Sequence, residues 1–394
     1  VPSTPRDISI PGVDNITHSL VGAALAEIAL PADAPPARRT LFLTVGIVAA
    51  NLPDADLVYT GVTSAPLGYL LHHRGHTHTV VGLVAQALLL GALCWLPAVR
   101  RRCGAPDARL YLLLAAALLS HLVLDSWNSY GVHPFWPVDV RWFYGDAIYI
   151  LEPWLWLPLG VAAALNTRRR RRAMVLGAAL SLLPVVLAVM GMIPVIALVA
   201  LAATRAAAVV AIRRLRPRVR SLVALGAMAM FVAAMFALRE HVRGVLLAAP
   251  LPASDTRLVD LVLSPRPANP LCWSALAITS REDADEYLLS AMQVGVVNGA
   301  CGEGSARVTP QGATVQSLSR LRALHARDCA VHAWLQFGRA PELGAGIIAD
   351  ARFGGADRPN FSTMPLSAGA EAARCPAHLT AWGRPREDLL RGGP

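Results

Sequence analysis

Histidine and aspartate carry most of the chemistry legible in this sequence. Seven of its 11 histidines lie before residue 134, and six of them fall with aspartates in short groups: His18; Asp54 and Asp56; His72, His73, His76 and His78; His121 and Asp125. Imidazole nitrogen and carboxylate oxygen are the ligands that Zn²⁺ and Mn²⁺-like ions take, and a hydrolytic site needs about three to five of them with one position left for water. His121 and Asp125 are four apart, so on a helix they leave from one face. His76 and His78 alternate, which on an extended approach to the next helix aims both rings to one side, and Gly75 permits the turn that directs them. Read singly, each group has a plainer account: a hydrogen-bonded His-x-x-x-Asp pair on a helix, or a turn at Pro53-Asp54. Read together, their placement decides.

That placement follows from the elements. The chain is 55% apolar with a mean hydropathy of +0.46, too apolar for a soluble protein of one or two cores. The apolar residues come in long runs, 79–99, 110–124, 147–165, 173–204 and 221–238, most of them near the ~20 residues that cross a bilayer as a helix. Two shorter stretches, 16–30 and 41–52, precede them. The sequence therefore predicts a mainly α, polytopic helical membrane bundle of about six full spans plus two short N-terminal helices. The 173–211 segment forms a hairpin broken near Gly191 and Pro194, with Arg205 awkward in its second half unless it snorkels. No basic n-region followed by an apolar h-region opens the sequence, so no cleavable signal peptide is expected.

All 36 basic residues are arginine, and the net charge of +10 concentrates in loops between the apolar runs. Alternate threading puts sixteen arginines, in 38–39, 100–109, 168–172 and 213–220, on one side, against Arg6, Arg74 and Arg141 on the other. This bias predicts a cytoplasmic arginine side and explains the charge without nucleic acid. The same threading delivers every His/Asp group, and residues 239–394, to the external, periplasmic face. Four cysteines in that last segment (Cys272, Cys301, Cys329, Cys375) point to two disulfides of open pairing in an oxidising compartment. The expected organisation is an N-terminal extension (1–15), a metal-binding helical domain (16–165), additional transmembrane helices (166–238) and a small mixed α/β or β-rich extramembrane domain (239–394).

The groups Asp14-Asn15-Ile16-Thr17-His18-Ser19, Pro53-Asp54-Ala55-Asp56, His73-Arg74-Gly75-His76-Thr77-His78 and His121-Leu122-Val123-Leu124-Asp125 resemble the motifs of the predicted membrane-bound metal-dependent hydrolases, a family also described as LexA-regulated inner-membrane hydrolases. The resemblance spans about residues 13–155, leaves residues 1–12 upstream of it, and implies His18, Asp54, Asp56, His73, His76, His78, His121 and Asp125 as site residues. Asp146 and Glu152 resemble an acidic pair of the same family, with glutamate at 152 where aspartate is more usual; Asp146 joins the implied metal ligands. The order His, Asp, His, His-x-x-x-Asp is also similar to the zinc-dependent phospholipase C pattern and implies phosphoester hydrolysis.

The expected mechanism uses one or two divalent ions, zinc first and Mn or Mg as alternatives, to acidify water and clamp an oxygen. Asp56 or Glu152 is the expected general base. Arg74 would neutralise an anionic substrate or pair with one of the aspartates, and Asn15, Asn51 and Asn128 would hydrogen-bond the ligands. Trp127, Trp136, Trp142, Trp154 and Trp156 are expected as an interfacial aromatic belt, with a substrate platform as the alternative. Both readings put the site near headgroup depth, with membrane lipids as partners and a lipid phosphoester as substrate. Two other classes stay open: a divalent-metal transporter or sensor, and a membrane scaffold with a structural metal.

Overall fold

The computed structural model describes residues 15–248, 256–366 and 382–391; residues 1–14 of the expected N-terminal extension and Cys375 fall outside them. Helix α1 (Asn15–Ala29) is followed by α2 (Pro36–Asn51), whose axis continues as a 3₁₀ segment, Leu52–Val62. The short helix α3 (Leu67–His72) and a 3₁₀ turn, His76–His78, lead into α4 (Val80–Cys94). Then come α5 (Pro97–Cys103), α6 (Ala108–Asp125), α7 (Pro153–Asn166), α8 (Arg170–Val189), α9 (Val195–Ile212) and α10 (Pro217–Leu247). Among the described residues five helices are long and apolar enough to cross a membrane, or six if the α3–α4 region, bent by 67°, is one span.

Three boundaries differ from the sequence reading, each for a physical reason. Helix α2 starts at Pro36, before the apolar stretch, because proline suits the first turn and because Arg38 and Arg39 find partners: Arg38 bonds Asp107 at 2.7 Å, and Arg39 bonds Glu27. Helix α7 starts at Pro153, since the N–H groups of Ala147 and Ile148 are held by the Trp127 carbonyl (2.9 and 3.1 Å) and the Glu152 carboxylate caps the helix through Trp154 N–H (3.2 Å). Helix α10 passes residue 239 and ends at Leu247. At 31 residues it is about 46 Å long, more than the ~30 Å hydrocarbon core, so its charged turn at 239–243 stays helical beyond the bilayer.

Helices α2, α4 and α6 share one buried apolar cluster, while α1 and α7–α10 share another that continues into the C-terminal sheet through Leu261, Leu263 and Trp273. Because lipid is as apolar as leucine, close packing rather than hydrophobicity must hold such helices together. Helices α1 and α2 approach closely: a Cβ on Gly22 would lie 2.3 Å from the Gly46 carbonyl oxygen, and one on Gly46 would lie 2.4 Å from that of Gly22. Arg205, inside α9, is satisfied by the Gly177 carbonyl at 2.9 Å and by Ser181.

The C-terminal domain carries a four-stranded antiparallel meander, β1 (Arg257–Arg266), β2 (Asn269–Arg281), β3 (Glu286–Gly295) and β4 (Val308–Ser317), in that order. Helices α11 (Leu318–Arg327) and α12 (Cys329–Trp334) follow, then a small sheet of β5 (Pro341–Leu343), β6 (Ile347–Asp350) and β7 (Met364–Pro365), and finally α13 (Glu387–Leu390). Cys272 and Cys301 form a disulfide, and Cys329 is also disulfide-bonded. The domain sits on the end of the bundle that carries His18, Asp54, His78 and Asp125. Trp382 donates its indole N–H to the Leu71 carbonyl (2.9 Å), Arg352 donates to the Ser129 carbonyl (2.6 Å), and Arg339 holds Asp146 with two bonds of 2.8 Å.

Candidate metal centre

Four segments meet at this end of the bundle: the start of α1, the end of α2 with its 3₁₀ extension, the turn before α4 and the end of α6. Asp54 Oδ1, His78 Nε2, His121 Nε2 and Asp125 Oδ2 converge, with ligand atoms of the four residues all within 4.8 Å of one another. His78 Nε2 is 3.4 Å from Asp54 Oδ1 and 3.2 Å from Asp125 Oδ2; His121 Nε2 is 3.5 Å from each.

The outer nitrogens fix the tautomers. His121 Nδ1 lies 2.7 Å from the Ala50 carbonyl, which only accepts, so Nδ1 carries the proton and Nε2 presents a lone pair when the ring is neutral. His78 Nδ1 faces Asp56 Oδ2 at 3.2 Å, which makes the same assignment. The two Nε2 atoms are 3.0 Å apart, and no donor reaches the buried Asp125 Oδ2. With both rings neutral, four lone-pair atoms face one another, an arrangement that positive charge at its centre relieves, whether protons on the rings or a metal ion. Two imidazoles and two carboxylates fit a four-coordinate zinc-type ion in donor chemistry. His18 stacks on His121 with centroids 3.9 Å apart, and its Nε2 is 3.5 Å from Asp125 Oδ1, on the margin of the set. Asp54, Asp56 and His73 form a second group that shares Asp54 with the first.

Asp56 points mainly away from this centre. Its Oδ1 faces His73 Nδ1 at 3.0 Å, and its Oδ2 accepts from Arg74 N–H (3.0 Å) and Thr77 O–H (2.8 Å) besides facing His78. With its lone pairs so engaged it holds His78 in place and is poorly disposed to take a proton from water. Arg74 is likewise committed: Nη2 donates to Asp125 Oδ1 at 2.9 Å, Nη1 reaches the carbonyls of Asp125 and Gly131 and Asn128 Oδ1, each at 3.2 Å, and the guanidinium lies over Tyr130. Of its two expected roles the geometry favours pairing with an aspartate. The left-handed turn falls on Arg74 (φ 59°) and not on Gly75, whose φ is −77°.

The structure does not bring three expected site residues into the cluster. His76 and His78 lie on a 3₁₀ turn instead of an extended strand, so their rings diverge: His76 is exposed, between Trp136 and Trp382 at 4.8 Å from each. Asp146 is buried against Arg339. Glu152 is buried as the cap of α7, where its second oxygen accepts from Ala268 N–H (3.3 Å) in the β1–β2 turn, and burial pushes its carboxyl up to about 8. Asn128 bonds Arg74 as described, while Asn51 bonds Ser19 (3.1 Å) and so ties α2 to α1. Trp142, Trp154 and Trp156 donate their indole N–H groups to Gly383, Ala268 and Thr17; each ties its own segment to a distant one.

One residue escaped the sequence reading. His133, 1% exposed, packs on Trp142 and Trp382 (4.7 and 4.3 Å), and burial first, then nearby His78, lowers its pKa to about 3. Its position in a loop, outside any paired motif, gave no signal.

Residues 13–196 match the YdjM inner membrane protein family. The chain is 32% identical over 179 residues to the inner membrane protein YbcI of Escherichia coli (strain K12), covering 40% of this chain and 98% of that protein. It is 24% identical over 148 residues to the uncharacterized protein YfhP of Bacillus subtilis (strain 168), covering 37% of this chain and 43% of YfhP, so it spans less than half of that relative's length. No solved structure matches. The matched region holds the whole His/Asp cluster, and with nearly the full length of YbcI aligned, the chain belongs to the YdjM inner membrane protein family.

Proposed function

We propose that this protein is a membrane-bound metal-dependent hydrolase that cleaves a lipid-type phosphoester at the external, periplasmic membrane face, with zinc as the first ion to test and Mn and Mg after it. The convergence of two imidazole nitrogens and two carboxylate oxygens on one buried centre carries the proposal, supported by the motif resemblance to predicted hydrolases. The chemistry a bound divalent ion supplies is acidification of water and polarisation of a phosphoryl oxygen. Asp54, His78, His121 and Asp125 would hold it. Asp56 and the Ala50 carbonyl keep the two imidazoles in the required tautomer. Arg74 neutralises one oxygen of Asp125 and leaves the other to the centre. Asp54 exposes 13% of its side chain, against 3% or less for the other three, so it stands at the rim, where water reaches the centre.

The near-complete burial of the other three donors also suits an ion that only ties α2, α4 and α6 together. Metal analysis of the purified protein beside His121→Ala and Asp54→Asn, with phosphate or alcohol release from a phospholipid panel, separates the two. Hydrolysis by wild type that falls in both variants supports the enzyme. Tightly held metal with no turnover on any lipid sinks it and leaves the structural ion.

A further inference from the structure

An apolar furrow of 420 Å³ opens on the bundle between α6 and α10, with α1 as its floor. Its walls are Ala116, Ser120 and Leu124 on one side and Leu225, Ala229 and Ala233 on the other. Each wall covers eight residues of helical rise, about 12 Å, and the two lie level. Ala116 and Leu225 are each eight residues from the arginine end of their helices, and the furrow climbs from there to Trp127 at the metal end. That length is close to one leaflet's share of a ~30 Å hydrocarbon core. The furrow ends against the metal cluster: Leu124 adjoins Asp125, Ser120 adjoins His121, and Val21 on the floor is one turn below His18.

We propose that this furrow seats one acyl chain of a lipid from the metal-face leaflet and so makes a long-chain lipid the substrate class of the hydrolase; the substrate role rests on the function proposed above, the seat itself does not. The volume lies within the roughly 300–1,000 Å³ of ligand pockets. The lining is apolar along its length, the small Ala116, Ala229 and Ala233 leave the walls open, and the sideways opening at membrane depth faces hydrocarbon. Trp127 stands at the level where an indole marks the headgroup boundary. A chain lying in the furrow would bring its ester and phosphate to the height of Asp54, His78, His121 and Asp125, since all these residues lie at the metal-face ends of their elements.

The test uses the full-length protein in vesicles of phosphatidylethanolamine and phosphatidylglycerol that contain a phospholipid with a photoreactive diazirine on one acyl chain. Irradiation should place adducts on 225–233 and 116–124, and Ala229→Phe and Ala116→Phe, with metal content unchanged, should each reduce them about tenfold, the equivalent of about 1.4 kcal/mol. The same variants should lower kcat/KM about tenfold for long-chain phospholipids and leave a short-chain, water-soluble phosphoester unchanged. Adducts that persist in both variants show annular lipid only and overturn the seat. Cross-links between α10 of two copies, in place of lipid adducts, assign the furrow to self-association and overturn it too. Adducts lost in the variants without hydrolysis of any substrate keep the seat and reject the enzyme, so the two failures are distinguishable.

Discussion

The two ends of the helix bundle hold charge in opposite ways. At the arginine end, Arg168 to Arg172, Arg213, Arg214, Arg216 and Arg218 are exposed, where water pairs them and they report topology. At the metal end, Asp56, His73, Arg74, His78, His121, Asp125 and Asp146 are all buried, and each has a named partner. Burying ions is costly unless they are matched, so here charge is arranged residue against residue. Apart from the buried Glu27, which pairs with Arg39, exposed charge gathers at one end of the bundle and matched, buried charge at the other.

The sharpest way to break this contrast is at the centre. Asp125→Ala should abolish metal retention and leave Arg74 buried without its carboxylate, a loss of about 3–5 kcal/mol read as a large drop in the midpoint of thermal unfolding in detergent; an unchanged midpoint would show the burial to be idle. Next comes the contact that fastens the cap. Arg339→Met leaves Asp146 and Asp260 facing one another at one site and should cost about 2–4 kcal/mol, with faster proteolysis after α10 and retention of metal. If the metal leaves as well, cap and centre are one cooperative unit.

A smaller effect is expected from pH. Burial raises the Glu152 carboxyl to about 8, above its unfolded value, so the native state keeps a proton that the unfolded chain releases. The stability this contributes is complete below about pH 4.5 and is lost as pH rises through about 8. Hydrogen exchange at the β1–β2 turn should therefore quicken across that window, and Glu152→Gln should flatten the response; an identical pH dependence in the variant would discard the assignment. Last, Arg170→Gln at the other end should change stability by less than about 0.5 kcal/mol and leave metal content alone. A larger change would mean that the arginine end is also built residue by residue.

Much of this was legible in the sequence. Helix ends that carry His18, Asp54, His121 and Asp125 had to meet once the helices alternated across a membrane, because period and length fix where an end falls. The rest depended on contacts that periodicity does not encode. Asp146 reads as one of an acidic pair until Arg339, 193 residues later, takes its carboxylate. His76 shares a motif with His78, and only the 3₁₀ turn sends the two rings apart. The arginines at 38–39 and the charged turn at 239–243 seemed to stop α2 and α10, yet helices outlast an apolar run when partners or water accept the charge. The cap's grip on Leu71 and Ser129 was invisible for the same reason as the Arg339 pair: its donors come from the far end of the chain.

The contact between Gly22 and Gly46 has a consequence for how this site can vary. Neither residue has a side chain to offer a metal, but Gly22 is one turn from His18, and Gly46 is one turn from Ala50, whose carbonyl sets the His121 tautomer. A single methyl group at either position would meet backbone and act as a wedge, prising α1 from α2 while every ligand kept its identity. Ligand distances in metal sites tolerate only about 0.2 Å, so the spacing of the proposed ligands depends on two residues that no inventory of reactive groups would include, and a survey of variants for bound metal should find them beside Asp54, His78, His121 and Asp125.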